Sequence, residues 1–256
     1  MTIRSLHTSP SGFTLMELII VMVVLGVLGT MGAEFISRAF EGFHQTDRRM
    51  EIYEEGKAAL VRMEREIHIA LPNAIQVNGN GVELGMIDEN GMAGVFGQYT
   101  ELAPVGTSTI TDRIAGLPNG ALVSIHNTGW AEFADGSRVY RVTSAGTNPM
   151  TLDRAITMAS PYQRFFVVRA EAIRFAVDNN GTLMRETAQV NVAAALGAFS
   201  AAQPLASNVI QADGRPFFTY DPGTSTRNGV VAIHFAISRG NETVTFHKEV
   251  QVRNVP

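Results

Sequence analysis

Phe13 to Ala33 is a 21-residue apolar run whose single ionisable group is Glu17. As a helix it spans about 31 Å at ~1.5 Å per residue, which matches the hydrocarbon core of a bilayer. Pro10 disfavours a helix running through from the N-terminus, so the pattern predicts a start near Ser11 to Thr14. From Glu34 the apolar positions thin to a stripe. Tyr53, Gly56, Leu60, Met63, Ile67 and Leu71 step by three and four, which is one helical face. Glu34/Arg38 and Arg62/Glu66 are opposite-sign pairs at i,i+4 on the other faces. Pro72 is the predicted stop. The expectation is one helix over 13–71, roughly 88 Å long if unbroken. Its first half, 13–33, is apolar all round and wants lipid or other helices. Its second half, 34–71, has one apolar stripe and wants a domain to lie along it.

After Pro72 the texture changes, and 18 of the 24 glycines lie beyond it. Short β-type runs follow at 81–87, 121–126, 138–142, 164–168, 172–177, 229–238 and 242–252. Asn179-Asn180-Gly181 stands between "AIRFAVD" and "TLMRE" and signals a hairpin. Arg239-Gly240-Asn241 signals a second. Loops are expected at 88–94, 103–119 and 197–208. The predicted class is α+β: a long N-terminal helix packed on an antiparallel β-rich domain over 72–256. Gly56, on the stripe, either lets a sheet approach the helix closely or is a neutral surface glycine.

Composition removes several function classes. A net charge of −4 gives no electrostatic support to nucleic-acid binding. Cysteine is absent, which excludes disulfides, thiolate metal sites and a Cys nucleophile. The apolar run is longer than a secretory signal's core of ~7–15 residues. Its small-residue site, Ser11-Gly12, comes before the run rather than after it. The run is therefore a span that is kept. No H-E-x-x-H, G-x-S-x-G, S-x-x-K or Walker A pattern occurs, and "NGNGVELG" (78–85) has neither dinucleotide-binding nor P-loop spacing. No enzyme and no cofactor is implied.

The remaining candidates have plain structural readings. Glu64 and His68 share a ligand-compatible i,i+4 spacing, but a solvated charged face accounts for them. His126 and His234 lie in apolar strands and fit core or sheet-face positions. Asp178 to Thr182 brings oxygen side chains near a glycine, yet lacks the distal Glu of an EF-hand loop. A type I′ turn accounts for it. Trp130, the one tryptophan, is expected as a loop anchor.

"FTLMELIIVMVVLGVLG" after a leader ending in Gly12 resembles the type IV prepilin N-terminus. The glycine, phenylalanine, threonine, leucine and glutamate all stand in register with the apolar run. The resemblance implies that a membrane prepilin peptidase cleaves between Gly12 and Phe13 and methylates the new amine of Phe13. The family's assembly glutamate falls on Glu17. "ALVRMEREIHIALPNAI" (59–75) resembles the helix-to-domain junction of J-type minor pseudopilins of type II secretion. "AIRFAVDNNGTLMRE" (172–186) and "VQVRNVP" (250–256) are similar to the O-type minor pilin of the mannose-sensitive haemagglutinin (MSHA) pilus. The chain departs from family habit in two ways: it cannot form a C-terminal disulfide, and its span has glycines (Gly26, Gly29, Gly32) where major pilins usually carry a proline.

An ionised carboxylate at bilayer depth costs ~2.5–3.5 kcal/mol on insertion scales. Two readings of Glu17 offset that cost. In one, its carboxylate pairs with a Phe13 amine during subunit assembly. In the other, Thr14-Leu15-Met16-Glu17 is a T-x-x-E capping box. The flanking charge does not set topology: Arg4 lies on one side, and Arg38, Arg48 and Arg49 on the other. The resemblance supplies it, with the domain in the periplasm and then in a fibre. The partners implied are prepilin peptidase, other major and minor pilins, an inner-membrane assembly platform and the membrane itself. From another class, the alternative is a signal-anchored envelope enzyme or ligand-binding protein, for which a deep pocket with convergent polar groups would speak.

Overall fold

The computed structural model describes residues 12–89, 97–100, 105–111, 116–144, 146, 148–223 and 227–252. Helix α1 covers Leu15–His68, and the chain divides into two compact units between Arg48 and Arg49. In the first unit every described side chain is exposed. Within α1 lies one segment long and apolar enough to cross a membrane, and none of it is buried against protein. Gly26, Gly29 and Gly32 lie inside the helix without interrupting it, and nothing stands within 4 Å of a Cβ placed on any of them. The Glu34–Arg38 pair forms at 2.6 Å on this exposed surface.

In the second unit α1 buries Ile52, Gly56, Ala59, Met63, Glu66 and Ile67. The burial stripe is turned slightly from the one the sequence predicts: Tyr53 is 47% exposed and Leu60 is only half-buried. Both Ile52/Ala59 and Tyr53/Leu60 satisfy a helical period. Close approach decides between them. A Cβ on Gly56 would fall on the Phe246 ring, which stacks on Phe235 at 5.1 Å and on Tyr53 at 6.4 Å. Gly56 is therefore a contact point for the sheet, the first of the two readings above.

The helix ends at His68, not at Leu71. Strand β1 (Ala70–Asn78) begins at once and contains Pro72. It pairs antiparallel with β2 (Gly81–Met86), Ala70 lying opposite Met86, with an irregularity before Ile75 that accommodates Pro72 and left-handed Asn73. β9 (Glu171–Val177), β10 (Leu183–Gln189) and β11 (Ser200–Ala206) complete a five-stranded antiparallel sheet in the order β1-β2-β9-β10-β11. The expected loop over 197–208 is thus largely strand β11. Its sequence, "SAAQPLA", carries no apolar alternation, and its pairing with β10 is irregular.

A second sheet is built on the long hairpin of β14 (Gly229–Arg239) and β15 (Glu242–Val252), paired in register along their whole length. Two short strands, β12 (Val209–Ile210) and β13 (Phe218–Asp221), pair with different stretches of β14. Both sheets and the domain part of α1 share one apolar core, in which Met63, Ile67, Phe175, Val231 and Ile233 are fully buried or nearly so. Gly240 takes φ 62° at the first position of the two-residue β14–β15 turn, as a type II′ hairpin requires.

β2 and β9 are neighbours, although residues 87–170 separate them in sequence. That insertion is a lobe of its own. It contains β3 (Gly97–Gln98), β4 (Thr109–Ile110), β5 (Leu122–Ile125), a short helix α2 (Trp130–Ala134), β6 (Val139–Arg141), β7 (Met150–Thr151) and β8 (Arg164–Val168). A β3-β8-β5-β6 sheet and the β4–β7 pair enclose a separate core around Tyr99, Tyr140, Phe165 and Ile110. Leu71, Phe133, Phe166 and Val190 join the lobe to the main sheet. Trp130 opens α2 rather than sitting in a loop, and its ring tilts against Phe133 at 5.7 Å. The expected loops at 88–94 and 103–119 lie partly outside the described residues, and the latter holds β4.

Ion pairs tie α1 to the sheets. Arg185 on β10 donates to both oxygens of buried Glu66 at 3.1 and 2.9 Å, and Arg62 reaches Glu66 at 3.4 Å. Arg239 at the end of β14 pairs with Glu55 and, at 3.2 Å, with Glu51. A carboxylate as buried as Glu66 needs such partners.

Inside the lobe, Glu132 of α2 accepts from the Thr128 N–H and hydroxyl, both at 2.8 Å, and from Arg138 at 3.1 Å. Partial burial pushes its pKa up, but the Thr128 hydrogen bonds and Arg138 outweigh it and hold the carboxyl below the usual 4.5. A depressed pKa contributes stability above the unfolded value, which is lost as pH falls through the folded one. Glu132→Gln is therefore expected to lower the melting temperature at pH 7, with the gap to the parent closing below about pH 4. Thermal melts across that range check it. A gap that persists undiminished in acid would assign the loss to packing instead.

Candidate functional site

The N-terminal segment holds the residues the sequence singles out. Phe13 precedes the helix and is 74% exposed. Thr14 acts as the N-cap. Its hydroxyl accepts the Glu17 N–H at 3.3 Å, and its carbonyl accepts the N–H groups of Glu17 and Leu18 at 3.1 and 3.2 Å. This is the Thr half of a capping box. The reciprocal bond, from the Thr14 N–H to the Glu17 carboxylate, is not made. Among the described residues that carboxylate has no hydrogen bond and no ion pair, and it stands exposed in the first turn of an apolar helix. Of the processing residues, Gly12 is described and has open space about it; the rest of the leader, 1–11, lies outside the described residues.

The other candidates resolve into packing and turns. Glu64 pairs with Lys248 on β15 at 2.9 Å, and His68 Nδ1 lies 3.3 Å from the Gln251 carbonyl. These two side chains fasten α1 to β15 instead of facing each other across a ligand. Asp178 accepts from the N–H groups of Asn180 (2.9 Å) and Thr182 (2.7 Å), while Gly181 alone takes a left-handed φ, 72°. With Asn179 and Asn180 at ordinary φ and the Gly181 N–H bonded to the Asp178 carbonyl, this is a type I turn followed by a left-handed glycine. The predicted type I′ turn is corrected accordingly: the Asp178 side chain stabilises ordinary φ at both asparagines. His234 is buried on β14, opposite exposed His247 with ring centroids 5.4 Å apart and Asp213 3.9 Å away. His126 sits just past β5 with a left-handed φ of 49°. Among the described residues no group of three His, Asp or Glu side chains is placed to hold a metal.

Sequence reasoning missed the lobe over 87–170 and a polar cleft at its base. The runs at 121–126, 138–142 and 164–168 anticipate β5, β6 and β8, but β3, β4 and β7 are two residues each, too short to show a period, and the cleft draws on four separated segments.

A family model, the prokaryotic N-terminal methylation motif, matches residues 9–33. No curated protein and no solved structure matches the chain. The motif, seated on one N-terminal apolar helix, supports a type IV prepilin-like protein anchored in a membrane. It implies processing by prepilin peptidase and assembly with other pilins, and the proteins it marks are structural rather than enzymatic. The match covers the leader junction and span, and leaves the β-domain without a counterpart.

Proposed function

We propose that this chain is a minor pilin or pseudopilin, a non-enzymatic subunit of a type IV pilus-like fibre. The precursor inserts as a single-pass inner-membrane protein with residues 34–256 in the periplasm. Prepilin peptidase removes residues 1–12 by cutting between Gly12 and Phe13, and the new Phe13 amine is methylated. The apolar helix then leaves the bilayer sideways into a helical bundle, and the β-domain packs at the fibre surface. One observation carries this reading. Gly12-Phe13-Thr14 leads into an apolar helix whose carboxylate in the first turn, Glu17, has no partner among the described residues. A partner from another subunit, the Phe13 amine, offsets the cost of that charge in apolar surroundings.

The stretches at 172–186 and 250–256 favour an MSHA-type pilus and its O-type minor pilin; residues 253–256 of the second lie outside the described part. The stretch at 59–75 favours the J-type pseudopilin of type II secretion as the second reading. The two differ in the subunits that co-purify with the chain.

Processing is the direct test. Intact-mass measurement of fibre-associated protein is expected to give residues 13–256 plus one methyl group. Loss of Arg4 with the leader takes the net charge from −4 to −5. Full-length chain in assembled fibres, or a terminus beyond Ala33, would overturn the proposal.

A further inference from the structure

β15 is the outermost strand of the second sheet, beyond β14, and the pairing shows which of its main-chain groups face away. The N–H groups of His234 and Ser238 donate to the carbonyls of Phe217 and Asn208. The even-numbered residues of β14 therefore bond toward β13 and β12, and the odd-numbered ones toward β15. In an antiparallel ladder, residues directly opposite each other share one role. Ile237 stands opposite Val244 and Phe235 opposite Phe246, so the even-numbered residues of β15 bond to β14. Thr243, Thr245, His247, Glu249 and Gln251 turn their N–H and C=O groups outward, and all five residues are exposed. Among the described residues only one of these groups has a partner: His68 Nδ1 lies 3.3 Å from the Gln251 carbonyl.

The other sheet edges are blunted. β1 carries Pro72 and an irregularity, and β11 carries Pro204 and pairs irregularly. β3, β4, β6, β7, β12 and β13 are two to four residues long. β15 has 11 residues, no proline and no break in register. Long unbroken edges template the addition of another strand, which is why proteins normally guard them. The open positions from Thr243 to Glu249 span about 20 Å at ~3.4 Å per residue. The flank beside them also suits a strand. α1 runs along β15 in the same direction: Gly56 meets Phe246, Glu64 pairs with Lys248, and His68 meets Gln251. Between helix and edge lies a groove of about 390 Å³, lined by Val61, Glu64 and His68 of α1 and by Glu249 and Val250 of β15. Val61 is 55% exposed there, and Tyr53, stacked on Phe246, is 47% exposed.

We infer that β15 accepts an added β-strand: an extended segment of a different protein, with alternating apolar and polar side chains, pairing antiparallel along Thr243 to Glu249. Its main chain closes the open N–H and C=O groups, which supplies affinity, and the alternation supplies specificity. Its apolar side chains cover Tyr53 and Val61 on the α1 side. Its polar side chains lie beside Thr245 and His247 on the other face, with a cation opposite Glu249. A second copy of this chain does not fit. Antiparallel self-pairing sets the two helices over 49–68 head to tail, with their chain entries at opposite ends of the pair. Chains anchored through 13–33 in one membrane enter from one side. The inference uses the membrane anchor and does not depend on the fibre reading.

Full-length protein in detergent micelles is titrated with the end-blocked heptapeptide Lys-Val-Thr-Val-Thr-Val-Glu, and with the same residues reordered as Val-Val-Thr-Lys-Glu-Thr-Val, while NMR follows exchange of single amides. The alternating peptide is expected to bind saturably and to slow exchange at Thr243, Thr245, His247 and Glu249 by about tenfold or more. The reordered peptide should bind at least about tenfold more weakly, since it cannot place its valines on one face. Thr245→Pro removes one outward N–H and no bond to β14, so it is expected to melt with the parent and to bind at least about tenfold more weakly. Val61→Asp, which puts a charge on the apolar flank, is expected to weaken binding several-fold. Absence of saturable binding, equal binding of the reordered peptide, undiminished binding by Thr245→Pro, or protection confined to other strands would each overturn the inference. So would peptide-free protection of the same four amides that rises with protein concentration, which assigns the edge to a second copy. The exchange pattern needs only the parent protein and stands even if Thr245→Pro fails to fold.

Discussion

Replacing Glu17 by alanine is expected to leave cleavage and membrane insertion intact and to reduce the chain's share of sheared fibres by more than about tenfold. Removing a carboxylate from an apolar span makes insertion easier, since the charge costs ~2.5–3.5 kcal/mol there. What disappears in the proposed assembly is the partner of a Phe13 amine buried in the bundle. A charge left unpaired in such surroundings costs about 3–5 kcal/mol, and each 1.4 kcal/mol is tenfold in an equilibrium. The capping role cannot produce this loss, because Thr14 makes its bond through the Glu17 backbone N–H, which alanine retains. The measurement compares parent and variant in membrane and fibre fractions. Equal incorporation would leave Glu17 without an assembly role.

The second large effect is in the domain. Met63→Asp is expected to lower stability by about 3–5 kcal/mol, through an unpaired charge in a closed core and lost packing. Met63 is 0% exposed and lies among Ile67, Val231 and Ile233. For a domain of this size that is a fall in melting temperature of roughly 6–20 °C, at ~2–4 °C per kcal/mol. Two neighbours calibrate it. Leu60→Asp, at a half-buried position, should cost about 1–2 kcal/mol, and Val61→Asp, at 55% exposure, within about 0.5 kcal/mol. Melts of the full chains in detergent give the order. If Leu60 proved the most sensitive of the three, the face of α1 described above would be wrong.

That contrast shows where sequence periodicity stops. Tyr53, Gly56, Leu60, Met63 and Ile67 mark a helical face within about one residue's rotation, because a 3.6-residue period leaves adjacent stripes nearly equivalent. Phe246 broke the tie by seating over Gly56, and Phe246 lies 190 positions away on β15. The end of α1 was decided in the same way. Pro72 suggested a stop at Leu71, but Ala70 pairs with Met86 and the Ile87 N–H bonds to the Ile69 carbonyl, so strand pairing claims the chain earlier.

The sequence alone determined what depends on local pattern. The span over 13–33 follows from apolar length, the Thr14 cap from residue type, and β14 and β15 from apolar runs joined at Gly240. The residues about Gly12, Phe13 and Glu17 form a pattern that is linear along the chain, and a family model matches over residues 9–33. Tertiary structure decided what depends on distant segments meeting. Strand β11 exists because β10 offers an edge, although "SAAQPLA" has no strand pattern. The lobe over 87–170 holds together through Tyr99, Tyr140 and Phe165, whose separate runs say nothing of one another until the strands pair. The cleft at its base draws Asn73, Asn127, Arg164 and Gly223 from four separated segments, and their proximity is a property of the closed sheets, not of any spacing along the chain.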